Sequence, residues 1–99
     1  IAMSEGGINA IDHLLEIINQ YQIEDVNPQI KTLMNLKGFL DANGILDERE
    51  KLDVYKSLFP PHGGLSDIYY WDDDFETRKE VNDSIESALK IIANYLLDR

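Results

Sequence analysis

Phe75-Glu76-Thr77-Arg78-Lys79-Glu80-Val81-Asn82-Asp83-Ser84-Ile85-Glu86-Ser87-Ala88-Leu89-Lys90-Ile91-Ile92-Ala93-Asn94-Tyr95-Leu96-Leu97 is the stretch whose reading decides the fold. Val81, Ile85, Ala88, Leu89, Ile92 and Leu96 recur at the three- and four-residue spacing of one helix face, with charged residues between them. The pattern predicts a long amphipathic helix from about Phe75 to Leu97. Thr77 followed by Glu80 has the form of a capping box, which leaves the start open by a few residues.

The same periodicity continues upstream. Asp47 with Glu50 is a capping box at the start of a helix over about 47–58, lined by Leu52, Val54, Tyr55, Leu58 and Phe59 and stopped by Pro60-Pro61. Asn27-Pro28 reads as an N-cap followed by proline at the first helical position. Ile30, Leu33, Met34, Leu36, Phe39 and Leu40 give that helix its apolar side, and Gly44 is placed to take the left-handed conformation that closes it. The first helix is expected from about Ile8 to Tyr21, with Ile8, Ile11, Leu14, Leu15, Ile18 and Tyr21 on one face and Asp12, Glu16 and Asn19 on another. Ile1-Ala2 ahead of Met3 reads as an addition before a native start, and residues 1–6 are expected to be disordered. Together the segments predict one all-α domain over 1–99, a bundle of four main helices. An α+β alternative stays open if Ile68 to Trp71 pairs with another extended stretch.

Composition narrows the function classes. With 99 residues and 43% hydrophobic side chains, the chain supports a single modest core. It contains no cysteine, which excludes disulfides, thiol catalysis and thiolate metal sites. No apolar run is long enough to span a bilayer, and no signal-peptide pattern is visible, so a cytoplasmic location is the expectation. Nineteen acidic side chains stand against nine basic ones, for a formal net charge of -10. That balance disfavours direct contact with nucleic acid or anionic membrane and favours a basic protein as partner. The bland reading of the same charge is solubility.

Between the third and fourth helices the sequence changes character: Pro60-Pro61-His62-Gly63-Gly64-Leu65-Ser66-Asp67-Ile68-Tyr69-Tyr70-Trp71-Asp72-Asp73-Asp74. Prolines and glycines impose an irregular path. Three successive aromatics and three successive aspartates follow, and residues 60–77 hold five acidic side chains and no Lys or Arg. Tyr and Trp bring large contact area with little rotamer loss, so Asp67, Tyr69, Tyr70, Trp71, Asp72, Asp73 and Asp74 are the candidate partner-binding residues. The competing structural reading has Tyr69 and Trp71 packed inward and the aspartates capping the last helix at its positive end. At least one aromatic is expected inside and at least one outside.

Other chemistry finds little support. Adjacent aspartates diverge, and Asp41-Ala42-Asn43-Gly44 brings its glycine two positions too early for a calcium loop. His13 and His62 lack partners of ligand type and read as solvent-facing or half-buried. No serine sits in a nucleophile elbow, and Gly63-Gly64 lacks the Lys-Ser/Thr ending of a phosphate loop. No catalytic residue, metal or cofactor is expected.

In Gly64, Ile68, Tyr69 and Tyr70 the segment resembles the small acidic helical immunity proteins of nuclease colicins and pyocins, whose connection into the last helix carries His-Pro, Gly, Asp and Ile-Tyr-Tyr-Pro. Here Pro61 and His62 stand in swapped order, Asp67 is one place nearer the tyrosines, Trp71 replaces the proline, and the 47–58 helix is additional. The likeness covers about fifteen residues. Gly63-Gly64-Leu65-Ser66-Asp67, with Trp71-Asp72-Asp73-Asp74-Phe75-Glu76 and Arg78, also resembles the C-terminal half of immunity proteins of contact-dependent inhibition and polymorphic toxin systems. The resemblance implies a protein that neutralises a cognate basic toxin domain, a nuclease above all, by stoichiometric binding, with Tyr69 and Tyr70 as anchors and Asp67 shifted by a place. The alternative is an acidic helical adaptor or regulatory subunit docking on a basic protein, and a small carboxylate-dependent hydrolase is a third class. The toxin's chemistry and the oligomeric state stay open.

Overall fold

The computed structural model describes the backbone of residues 2–24, 26–61 and 63–97, with side chains from Ile8 onward within those ranges. Four helices make up the fold: α1 (Ala2–Gln20), α2 (Asn27–Asp41), α3 (Glu48–Leu58) and α4 (Phe75–Leu97), with one turn of 3-10 helix at Leu65–Asp67. No strand occurs among the described residues. The helices pack in a closed cycle: α1 lies against α2 and α4, and α3 lies against α2 and α4. The all-α, four-helix expectation holds.

The shared core is built from the sequence stripes. Ile11 and Leu14 of α1, Leu33 of α2, Leu58 of α3, Leu65 of the 3-10 turn and Ile92 of α4 are its most completely enclosed large side chains. Val81, Ile85, Ala88 and Leu96 are buried beside Ile92, as their spacing predicts. Met34, Phe39 and Leu52, assigned to apolar faces, point outward instead. In α2 the buried row is Leu33, Leu36 and Leu40, and a stripe of that width leaves Met34 and Phe39 on its flank.

Helix ends show where local chemistry departs from the sequence reading. α1 starts at Ala2, so helical backbone takes in residues 2–6, read above as disordered. Extending an anchored helix backwards adds one hydrogen bond per residue and needs no new nucleus, which lets Gly6-Gly7 be helical despite their low propensity. The N-cap of α2 is Val26, not Asn27. Val26 is drawn into the core, which places Asn27 inside the helix and Pro28 in the first turn, where a missing N–H is no loss. The α3 capping box forms as expected: the Glu50 N–H donates to Asp47 Oδ1 at 2.8 Å, and the Asp47 N–H donates to Glu50 Oε1 at 3.2 Å.

α1 and α2 end in the same motif, with a non-glycine residue in the left-handed region. After α1, Gln22 has φ 51°, its N–H donates to Asn19 O, and the Ile23 N–H donates to Ile18 O at 3.0 Å. After α2, Asn43 has φ 64°, with Asn43 N–H to Leu40 O and Gly44 N–H to Phe39 O. The left-handed residue is therefore Asn43 and not Gly44. At 44 a Cβ would lie 2.5 Å from the Phe39 ring, so a larger residue there requires that outward-pointing ring to swing aside.

Candidate protein-binding surface

The 59–74 crossing begins with a tight loop. Gly64 has φ 74° and ψ -161°, a conformation confined to glycine, and a Cβ there would lie 2.4 Å from Pro60 Cδ and 2.9 Å from the Leu58 carbonyl oxygen. The Asp67 carboxylate closes the loop by accepting the Gly63 N–H at 2.6 Å. Leu65, fully enclosed, nails the 3-10 turn to the core. His62 lies outside the described residues.

Beyond Asp67 the chain runs extended, and its side chains alternate. Ile68, Tyr70 and Asp72 are half-buried, whereas Tyr69, Trp71 and Asp73 are exposed. This is the period-two geometry of extended backbone, which sends successive side chains to opposite sides. Tyr69 and Trp71, read as inward in the structural alternative above, are 63% and 64% exposed; the inward aromatic is Tyr70. Its ring packs on Tyr21, in the turn just after α1, at 4.7 Å between centroids. Its hydroxyl donates to Asp72 Oδ2 at 3.0 Å. That hydrogen bond, followed by partial burial and the nearby negative charge, pushes the Tyr70 phenol above its ordinary pKa.

An extended segment needs partners for its backbone, and here a side chain supplies them. Asn82 Oδ1 accepts the Tyr70 N–H at 2.9 Å, and Asn82 Nδ2 donates to the Tyr70 carbonyl at 2.8 Å and to the Arg78 carbonyl at 2.8 Å. The carboxamide stands in for a neighbouring strand, so the pairing that an α+β fold would need is met by α4 itself. Asn82 escapes the sequence reading. The signal available was an asparagine in a helix interior, where its side chain competes with backbone bonding unless it has other work.

The three aspartates have different fates. Asp72 accepts the Asp74 N–H at 2.8 Å as well as the Tyr70 hydroxyl, fixing the turn into α4. Asp74 is the N-cap: Thr77 Oγ1 and the Thr77 N–H donate to its Oδ2 at 2.6 and 2.9 Å. Those two bonds hold the Asp74 carboxyl below its ordinary pKa, the hydroxyl contributing most. Thr77 thus belongs to the cap as a donor, and the Thr77–Glu80 box is not used. Asp73, in the bend that the Asp72–Asp74 bond closes, is exposed.

Asp67, Tyr69, Tyr70 and Trp71 line a hollow of about 520 Å³, whose opposite wall is the turn after α1: Tyr21, Gln22, Ile23 and Glu24. Asp72, Asp73 and Asp74 lie outside it. Arg78 is the cation of this region. Its guanidinium lies 4.3 Å from the Trp71 ring centroid and 5.3 Å from that of Phe75, which is also exposed. The α1 turn is absent from the sequence-based site because it reaches the crossing through tertiary packing; Phe75 and Arg78, in the first two turns of α4, are local neighbours of Trp71 that the reading left out.

The arrangement offers aromatic surface edged with carboxylate. Among the described residues no three His, Asp or Glu side chains converge at metal-ligand spacing, and no helix is long and apolar enough to cross a membrane. Comparison of the chain with protein-family models, with curated proteins and with solved structures finds no match.

Proposed function

We propose that this protein is the immunity partner of a basic bacterial toxin domain, most naturally a nuclease, and that it acts by stoichiometric binding through the 67–74 crossing. The observation that carries the reading is the exposure of Tyr69 and Trp71, one on each side of Tyr70 in the chain, on backbone that Asn82 holds at Tyr70. Aromatic anchors bind well when their backbone is fixed beforehand, because little order remains to be imposed on association. Asp67 and Glu24 edge the adjoining hollow, and the net charge of -10 would steer a cationic surface towards it. A nuclease is cationic where it meets nucleic acid, so an acidic cover fits the surface that must be blocked.

The resemblance to colicin-type immunity proteins points to Tyr69 and Tyr70 as anchors. In this fold Tyr70 serves as the buttress, and the anchor role passes to Trp71, which stands where that family has proline. Inhibition by such a protein needs no chemistry of its own. It needs coverage of the substrate site or of a surface beside it.

The test is co-expression with the product of the adjacent gene. A stable complex that silences a toxic activity, and that weakens on Trp71→Ala with the helical content unchanged, is the expected result. A complex with a non-toxic basic protein would move the protein to the adaptor reading. A complex indifferent to Tyr69→Ala and Trp71→Ala would remove the crossing from consideration.

A further inference from the structure

A second hollow, of about 480 Å³, opens between α1 and α2. Leu15, Ile18, Ile30 and Met34 line it, and Met34 is 60% exposed although its neighbour Leu33 is fully enclosed. Gln22 and Ile23 line both this hollow and the one beside Tyr69 and Trp71, so the two lie on either side of a single ridge. The ridge is fixed by the hydrogen bonds that end α1, Gln22 N–H to Asn19 O and Ile23 N–H to Ile18 O. Among the described residues, the charged side chains lining the two hollows are Glu24 and Asp67, both on the Tyr69 side, and no Lys or Arg lines either.

We infer that the two hollows form one bipartite docking surface for a single segment of a protein partner, which lays Lys or Arg side chains against Glu24, Asp67 and the exposed rings and seats an apolar side chain against Met34. Charge complementarity identifies the first half of the occupant. The carboxylates that edge the first hollow repel another copy of this acidic chain and attract cationic side chains, whose alkyl stems also cover the Tyr69 ring. Apolarity identifies the second half, since the Met34 hollow has no charged lining and a flexible thioether adapts to varied apolar shapes. The inference rests on the crossing being the partner face and adds to it the α1–α2 groove and the chemistry of the segment that spans both.

The chain carries its own reporters, because Trp71 is the sole tryptophan and Met34 is one of two methionines. A short synthetic peptide with lysines at one end and a leucine at the other would be titrated into the labelled full chain. The Trp71 indole N–H and Met34 methyl resonances would be followed together. Both signals should move with one affinity, and that affinity should fall as salt rises. A peptide with leucine changed to serine should bind about tenfold more weakly, the loss of one seated apolar side chain. Met34→Lys, on an exposed position, should keep the fold and erase the difference between the peptides.

If only Trp71 responds, or both peptides bind equally, the bipartite surface is wrong while the crossing remains a basic-partner face. If only Met34 responds, the groove binds apolar segments alone and the inference fails. If neither responds, the inference falls and the crossing loses its support as a site for basic segments.

Discussion

Replacing Asn82 by alanine removes the carboxamide that holds the crossing to α4. Two hydrogen bonds between Tyr70 and Asn82, at 2.9 and 2.8 Å, are lost together with the bond to Arg78 O. Each is worth about 1 kcal/mol net, and the freed Tyr70 groups are half-buried, so water restores only part of the loss. The expected destabilisation is about 2 kcal/mol, or roughly a 10 °C fall in Tm for a domain of this size. Far-ultraviolet circular dichroism follows the helices, whereas Trp71 emission follows the crossing one residue beyond Tyr70. In Asn82→Ala the Trp71 signal should change before the helices melt. Asn82→Asp sharpens the test. It keeps the acceptor for the Tyr70 N–H but sets a carboxylate against two carbonyl oxygens. That raises the new carboxyl's folded pKa above its unfolded value near 4, so the folded state holds more protons between the two values and stability falls as pH rises through them. The deficit of Asn82→Asp should therefore be large at neutral pH and shrink on acidification. Stabilities within about 0.5 kcal/mol of wild type and unchanged Trp71 emission in both variants would refute the clamp.

Gly64→Ala should cost about 1–3 kcal/mol from backbone strain alone, with the clashes on Pro60 and the Leu58 carbonyl added, as read by urea unfolding. Gln22→Gly should stabilise by about 1 kcal/mol, because Gln22 sits at φ 51° where glycine has no Cβ penalty; a lower Tm would show that the Gln22 side chain matters more than its backbone. Asp74→Ala should lower Tm at neutral pH and converge on wild type in acid: the folded Asp74 pKa is depressed, so its contribution is present above the unfolded value and is lost as pH falls through the folded one. Tyr69→Ala and Trp71→Ala should each weaken partner binding by about 2 kcal/mol with little change in Tm, whereas Tyr70→Ala should lower Tm first, a contrast read by measuring affinity and melting on the same variants.

Legibility in the sequence follows the range of the interactions. Helix periodicity and the Asp47–Glu50 box depend on residues within a turn of one another, and both appear in the fold as read. The cap at Val26 depends on which residue the core pulls inward, and there the local reading slips by a residue; the cap at Asp74 lay within the aspartate run read as a helix cap, and only the Thr77–Glu80 box goes unused. The crossing was recognisable by composition, and its alternation follows once its backbone is known to be extended. That it is extended rests on Asn82, twelve residues away, and that Tyr70 is the inward ring rests on Tyr21, in the turn just after α1. No spacing rule connects positions 21, 70 and 82. The Met34 hollow was hidden for the opposite reason, because periodicity assigned Met34 to the core and gave no cause to look for it outside.

The cyclic packing has a consequence for how the molecule is made. α1 leaves the ribosome before the other three helices, yet one of its two packing partners, α4, follows only after α2 and α3. Until Ile85 and Ile92 emerge, the face of α1 meant for α4 has no native cover. A nascent chain ending before α4 is thus expected to be a chaperone client and a protease substrate. The crossing, whose path is set from α4 through Asn82, acquires its shape only once α4 has emerged, so the proposed binding face is absent until then.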